Sequence, residues 1–186
     1  MTSEISASKV DANSDLASKD PGSAGGTAYF AVSLPKLAVM SVCTLGFYEL
    51  YWFYQNWRLI KAANEGLGIM PFWRAFFAFF FCQQCFARIK NHADDLGLRS
   101  SVSPGGLAVA WIITTLSWRL PDPYWLVASL SFIPLLPVQA LANRINRKET
   151  PAHNPNGRFT GWNIATIVLG GLTFALAILA TFMPPK

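Results

Sequence analysis

Three places in the chain carry side chains able to do chemistry. The first is Glu49, set in residues 44–58 (TLGFYELYWFYQNWR), where seven of fifteen residues are aromatic. A carboxylate inside so apolar a run faces a partner or a water-filled cavity, because burying it alone is costly. Helical spacing places Gly46, Glu49, Trp52, Phe53 and Asn56 on one face, and Arg74, Ala78, Phe81, Cys85 and Arg88 in a stripe on the next helix. Three roles follow for Glu49. It can pair with Arg74 and fix helix register, serve a proton or ion relay, or sit wet at an interface. The second place is Cys82-Gln83-Gln84-Cys85, whose helical spacing sets two sulfurs side by side as a dithiol or metal pair requires. Zinc needs four ligands, and the two histidines, His92 and His153, lie outside the apolar runs. A thiol oxidase needs further loop cysteines to pass electrons on, and Cys43 is the only other cysteine. Cysteine is also a good small apolar filler, which is the role expected here. The third place is His92, next to Asp94 and Asp95. A His-Asp general base with four intervening residues would need an acid at position 97, and Gly97 stands there. No catalytic residue, cofactor or metal is assigned on this basis.

These groups are positioned by long apolar runs. Ser33 and Pro35 give a cap followed by a first-turn proline, so the first helix starts there, runs from Leu37 to Trp57 and exits at Arg58 and Lys61. Those 21 residues would span about 30 Å, one hydrocarbon core. A second helix runs from Pro71 to about His92, bracketed by Arg74 and Arg88. Ser103-Pro104 repeats the start signal for a short third helix, which ends at Pro121-Asp122-Pro123. A fourth follows from Tyr124 to about Ala142, and Pro134 and Pro137 must kink it and free the carbonyls near Leu130 and Ile133. A fifth, from about Trp162 to Met183, holds no charge. The expected fold is all-α and integral to a membrane, with five spans, or three if the third and fourth helices pair as a re-entrant hairpin. Thr166, Gly170, Thr173, Ala177 and Thr181 share one face of the fifth helix, small residues that let a neighbouring helix approach closely, whether from this chain, a second copy or another membrane protein.

Composition supports a bilayer as the main partner. The 186 residues are 52% hydrophobic and 13% charged, against about 25% charged in soluble domains. Residues 1–28 lack apolar residues able to offset ordering entropy and read as a disordered polar tail, leaving residues 29–186 as one helical membrane domain. Residues 1–35 hold two Lys against four acids, and the rest holds thirteen basic residues against six acids. The basic residues lie between apolar runs rather than in a polar domain, so they point to positive-inside orientation and not to nucleic acid. With five spans, Lys36, Arg88, Lys90, Arg99, Arg144, Arg147, Lys148 and Arg158 fall on one side and Arg58, Lys61, Arg74, Arg119 and Lys186 on the other, giving a cytoplasmic amino terminus and an exported carboxyl terminus.

The pattern T-x-G-x-Y-x-x-Y-W-x-Y (Thr44, Gly46, Tyr48, Tyr51, Trp52, Tyr54) resembles a group of uncharacterised small bacterial membrane proteins, as do residues 120–125 (LPDPYW) and 159–163 (FTGWN). The resemblance implies a multi-pass protein of a bacterial inner membrane and brings no activity, ligand or catalytic residue. Function is therefore expected to be a non-enzymatic interaction or assembly component. The alternatives are a small transport or permeation protein using Glu49 and the broken fourth helix, and a thiol-redox protein using Cys82 and Cys85.

Overall fold

The computed structural model describes residues 26–64, 66 and 68–183, which leaves the polar tail up to residue 25 and Lys186 outside the described residues. Among the described residues the regular structure is all helical, without strands. The chain forms α1 (Leu34–Cys43), α2 (Phe47–Ala63), α3 (Pro71–Phe76), α4 (Ala78–Asp95), α5 (Pro104–Leu116), α6 (Leu135–Glu149) and α7 (Gly161–Phe182), with short 3-10 helices over Ser117–Arg119 and Tyr124–Leu130. Two of the starts carry the caps their sequences announce. The Ser33 hydroxyl accepts from the Lys36 amide, and the Ser103 hydroxyl from the Gly106 amide, each with proline in the first turn.

The run expected as one helix over 37–57 is broken instead. Residues 44–46 form a turn in which Leu45 (φ 52°) and Gly46 (φ 89°) are left-handed and the Gly46 amide closes back on the Ser41 carbonyl at 2.9 Å. Glycine adopts that backbone at little steric cost, and the same closing bond ends many helices. Beyond the turn the chain reverses. The Phe30 ring meets the Tyr51 ring edge-on at 5.6 Å, and the Phe30 amide donates to the Asn56 side chain at 3.1 Å. Residues that precede α1 thus touch the middle of α2, which requires α1 and α2 to form a hairpin with both ends at one end of the bundle. The second helix is interrupted as well, at Phe77, so that α3 lies against α2 before α4 descends from Phe79, beside Trp111, to His92, beside Tyr29.

Three stretches run from one end of the bundle to the other. α5 with its 3-10 extension leads away from the end that holds Tyr29, residues 124–149 lead back to it, and α7 leads away again. The contacts fix this order: Trp125 donates to Thr181 near the end of α7, Ser131 reaches Glu49, Asn146 reaches Tyr29 and Glu149 reaches His92. The prolines of the descending stretch do not leave the carbonyls of Leu130 and Ile133 free as expected, and Pro137 lies within the first turn of α6. Pro134 brings in a tighter hydrogen-bond pattern, in which the Ile133 amide donates to the Leu130 carbonyl and the Leu136 amide to the Ile133 carbonyl. Two stretches, Tyr124–Glu149 and Gly161–Phe182, are long and apolar enough to cross a membrane, judged by length and composition.

An extended strap, residues 27–33, is threaded between the helices at the Tyr29 end, with Tyr29, Ala31 and Val32 buried. It has no sheet to pair with, so side-chain amides take that place. Asn146 both accepts from the Tyr29 amide (3.0 Å) and donates to the Tyr29 carbonyl (2.8 Å). Gln139 donates to the Phe30 carbonyl at 3.0 Å and accepts from the Trp52 indole, while Asn143 donates to the Val32 carbonyl at 2.8 Å. Buried backbone groups need such partners, and here α2 and α6 supply them.

α7 stands at the edge of the bundle with no buried residue. Its contact with α1 is close at one point, where a Cβ added to Gly170 would lie 1.7 Å from the Cys43 carbonyl oxygen, against a 3.9 Å approach of Gly171 to the Cys43 sulfur. Gly170 and Thr181 of the small-residue face therefore meet their own chain, whereas Thr173 is exposed. We expect Gly170→Val to push α7 off α1 and to lower stability by about 1–3 kcal/mol, the usual cost of overpacking. Gly171→Ala should stay near wild type. Thermal unfolding of the purified protein in detergent checks the pair, and equal midpoints for the two variants would contradict the assigned contact.

Candidate functional site

The hairpin turn at Gly46 places Glu49 one turn into α2, deep in the bundle and 2% exposed. Its two carboxyl oxygens are held separately. The Trp111 indole N–H of α5 donates to Oε2 at 2.6 Å, and the Ser131 hydroxyl, in the break before α6, donates to Oε1 at 2.6 Å. Both donors are neutral. Among the described residues no Lys, Arg or His forms an ion pair with it. The Arg74 pairing expected from helical spacing does not form. The Arg74 guanidinium instead lies over the Trp57 ring (4.5 Å) and the Phe81 ring (4.9 Å) and donates to the Gln84 side chain at 3.1 Å. Because the chain breaks at Phe77, the α3 stripe does not continue that of α4, and Arg74 turns away from the carboxyl.

Glu49 forms part of the wall of a half-open cavity of about 580 Å³. Its other walls are Leu45, Gly46, Phe47 and Leu50 of the first hairpin, Phe79 of α4, Trp111 and Thr115 of α5, Trp118 and Trp125 beyond it, Ala128, Ser129 and Ser131, and Phe174 of α7. Glu49 is the only ionisable group among them. The Thr115 hydroxyl is buried without a hydrogen-bond partner. Leu45, Phe47 and Trp118 are exposed at the rim.

The other candidates are dispersed. Cys82 and Cys85 are buried and unpaired, with the Cys82 thiol directed at the Phe79 carbonyl at 3.7 Å. A thiol sealed in this way packs as a small apolar group and lacks the exposure that reactive cysteines have. Arg58 is exposed on the outer face of α2, away from Glu49. Arg88 lies on α4 at the strap end, where its carbonyl oxygen is 3.4 Å from the Tyr29 hydroxyl. His92 links two elements there. Its Nδ1 is 3.2 Å from the Tyr29 hydroxyl and its Nε2 is 3.0 Å from the Glu149 carboxylate. Burial pushes the Tyr29 phenol well above its ordinary range, so it stays protonated and donates. Tyr29, Arg88 and His92 border a polar cleft of about 390 Å³. Among the described residues no three His, Cys, Asp or Glu side chains converge as a metal site requires.

No protein-family model, curated protein or solved structure matches the chain. The site therefore stands on its own geometry. Trp111 and Ser131 escape sequence reasoning, since each is an ordinary residue of an apolar run and becomes a carboxyl ligand only through the fold. The unusual feature that did mark the site is Glu49 itself.

Removing a donor leaves a buried carboxyl oxygen unsatisfied, at about 1–3 kcal/mol. Ser131→Ala should therefore lower the thermal midpoint clearly. Thr115→Val, which removes an unpartnered hydroxyl, should leave it unchanged or slightly raised. Thermal unfolding of both variants tests the assigned bonds, and a midpoint for Ser131→Ala no lower than that of Thr115→Val would contradict them.

Proposed function

We propose that the chain is a multi-pass protein of a bacterial inner membrane that binds and passes a small molecule through the cavity ending at Glu49. In this reading residues 104–119, residues 124–149 and α7 cross the bilayer, while α1–α2 and α3–α4 enter and leave on one side. The 22 residues of α7 span about 33 Å, the thickness of a hydrocarbon core, and their exposed leucines, valine and isoleucine suit lipid. The distribution of charge supports an orientation. Lys61, Lys90, Arg99, Arg144, Arg147, Lys148 and Arg158 gather at the strap end, and Arg119 lies at the other. Basic loops stay cytoplasmic, so the amino terminus is cytoplasmic and the carboxyl terminus exported. Lys61 thus moves to the side opposite the one that five straight spans would give it.

The observation that carries the functional reading is the carboxyl itself. It is buried, bonded only to neutral donors, and borders a cavity at the depth of Phe174, a little past the midpoint of α7. Interrupted helices around a polar group at mid-depth are how membrane proteins build binding sites. The competing reading, a non-enzymatic assembly component, rests on the exposed apolar faces of α3, α4 and α7, which lipid alone accounts for.

Extraction in native lipid discs followed by mass spectrometry separates the two. The binding reading expects a small molecule to come with the wild-type protein and to be lost from Trp118→Ala, which opens the cavity wall. A stoichiometric protein partner with no bound small molecule would overturn it in favour of the assembly role.

A further inference from the structure

The chemistry of the cavity wall narrows what it can hold. On the basis of the binding reading above, we infer that the occupant is a lipophilic monocation. The wall presents one ionisable group, the Glu49 carboxyl, whose hydrogen bonds come from an indole and a hydroxyl and leave the negative charge of its ionised form uncancelled. The rest is largely aromatic surface from Phe79, Trp111, Trp118, Trp125 and Phe174. Ring faces attract a cation through their quadrupole, most strongly when water is excluded, and indole is the best of them. The two features work together: a single positive charge meets the carboxylate while its apolar body covers the rings.

The same wall disfavours other classes. An anion would meet Glu49 with no basic side chain on the cavity wall among the described residues, the Arg119 guanidinium lying instead over the ring of the rim residue Trp118 at 5.4 Å. A hydrated divalent metal needs several oxygen ligands, and one carboxylate among indoles and phenyls cannot supply them. A dication would keep one charge uncompensated in an apolar site. A volume of about 580 Å³ lies within the range of sites that enclose a drug-sized molecule. The unpartnered Thr115 hydroxyl adds one polar contact within the wall. The exposed apolar rim at Leu45, Phe47 and Trp118 suits a molecule arriving from the hydrocarbon phase rather than from water.

The test uses two probes of like shape and opposite charge, tetraphenylphosphonium and tetraphenylborate, in equilibrium dialysis against the full chain in lipid discs. Partition into empty discs is subtracted. The wild-type protein should bind the phosphonium saturably and the borate not at all. Glu49→Gln and Trp118→Ala should each weaken phosphonium binding on the order of tenfold or more, about 1.4 kcal/mol each. If Glu49→Gln does not fold, Trp118→Ala and the contrast between the probes decide, since Trp118 is exposed and its loss spares the core. Equal saturable binding of both probes, or phosphonium binding unchanged in Glu49→Gln, would overturn the cation assignment while leaving a binding cavity in place. No saturable binding of either probe would also overturn it. If no small molecule then co-purifies in native discs, the binding reading falls with it.

Discussion

A carboxyl group taken out of water must be hydrogen-bonded on both oxygens, and the architecture is arranged around meeting that need for Glu49. Its two donors come from distant parts of the chain, Trp111 on α5 and Ser131 in the break before α6. The three side chains therefore lock the first hairpin to two of the stretches that run the length of the bundle. Aromatic packing reinforces the same junction. The Phe53 ring meets the Trp111 ring at 5.0 Å and stacks on the Phe86 ring at 5.9 Å, so α2, α4 and α5 share one core. A polar network of this kind specifies a single arrangement when it is fully satisfied, because each slip in register strands a buried group.

The opposite end of the bundle solves a second version of the same problem. The strap over residues 27–33 brings buried peptide groups to a place with no helix or sheet to bond them. Asn56, Gln139, Asn143 and Asn146 act as surrogate backbone, and Asn146 pairs with Tyr29 as a neighbouring strand would. This explains an otherwise odd feature of α2 and α6, namely that Asn56, Gln139 and Asn146 are buried in helices that otherwise bury mainly apolar side chains. With the strap fixed, α1 starts from a set position, and the depth to which the hairpin carries Glu49 follows from the length of α1.

Much of the all-helical character was legible in the sequence. Ser33-Pro35 and Ser103-Pro104 announce α1 and α5, Pro71 opens α3, and the uncharged run from Trp162 matches α7 to within a residue at each end. Ring geometry also explains why no regular α-helix runs through Pro134, although the carbonyls of Leu130 and Ile133 find closer donors instead of staying free. What could not be read is the direction of the chain after Thr44. The residues Thr44-Leu45-Gly46 interrupt nothing in the apolar pattern, and a glycine there suits close helix packing as well as a left-handed turn. The pattern therefore matches one straight span, and on that span helical spacing brings Arg74 within reach of Glu49. Two short arms of a hairpin leave the same apolar signature as one long helix. The difference lies in contacts between residues far apart in sequence, such as Phe30 with Tyr51 and Asn56. The cysteines show the converse, since their spacing suggests chemistry and their burial gives packing.

The hairpin is what carries Glu49 to the cavity, so its direction is the point to test first. Single cysteines placed at Lys61, Lys148 and Arg119, in a background lacking Cys43, Cys82 and Cys85, can be labelled in oriented membrane vesicles with a reagent that does not cross the bilayer. The account predicts that positions 61 and 148 label from the same side and position 119 from the other. Labelling of position 61 together with position 119, and apart from position 148, would mean that the first apolar run crosses the membrane, and would contradict the hairpin and the site built on it.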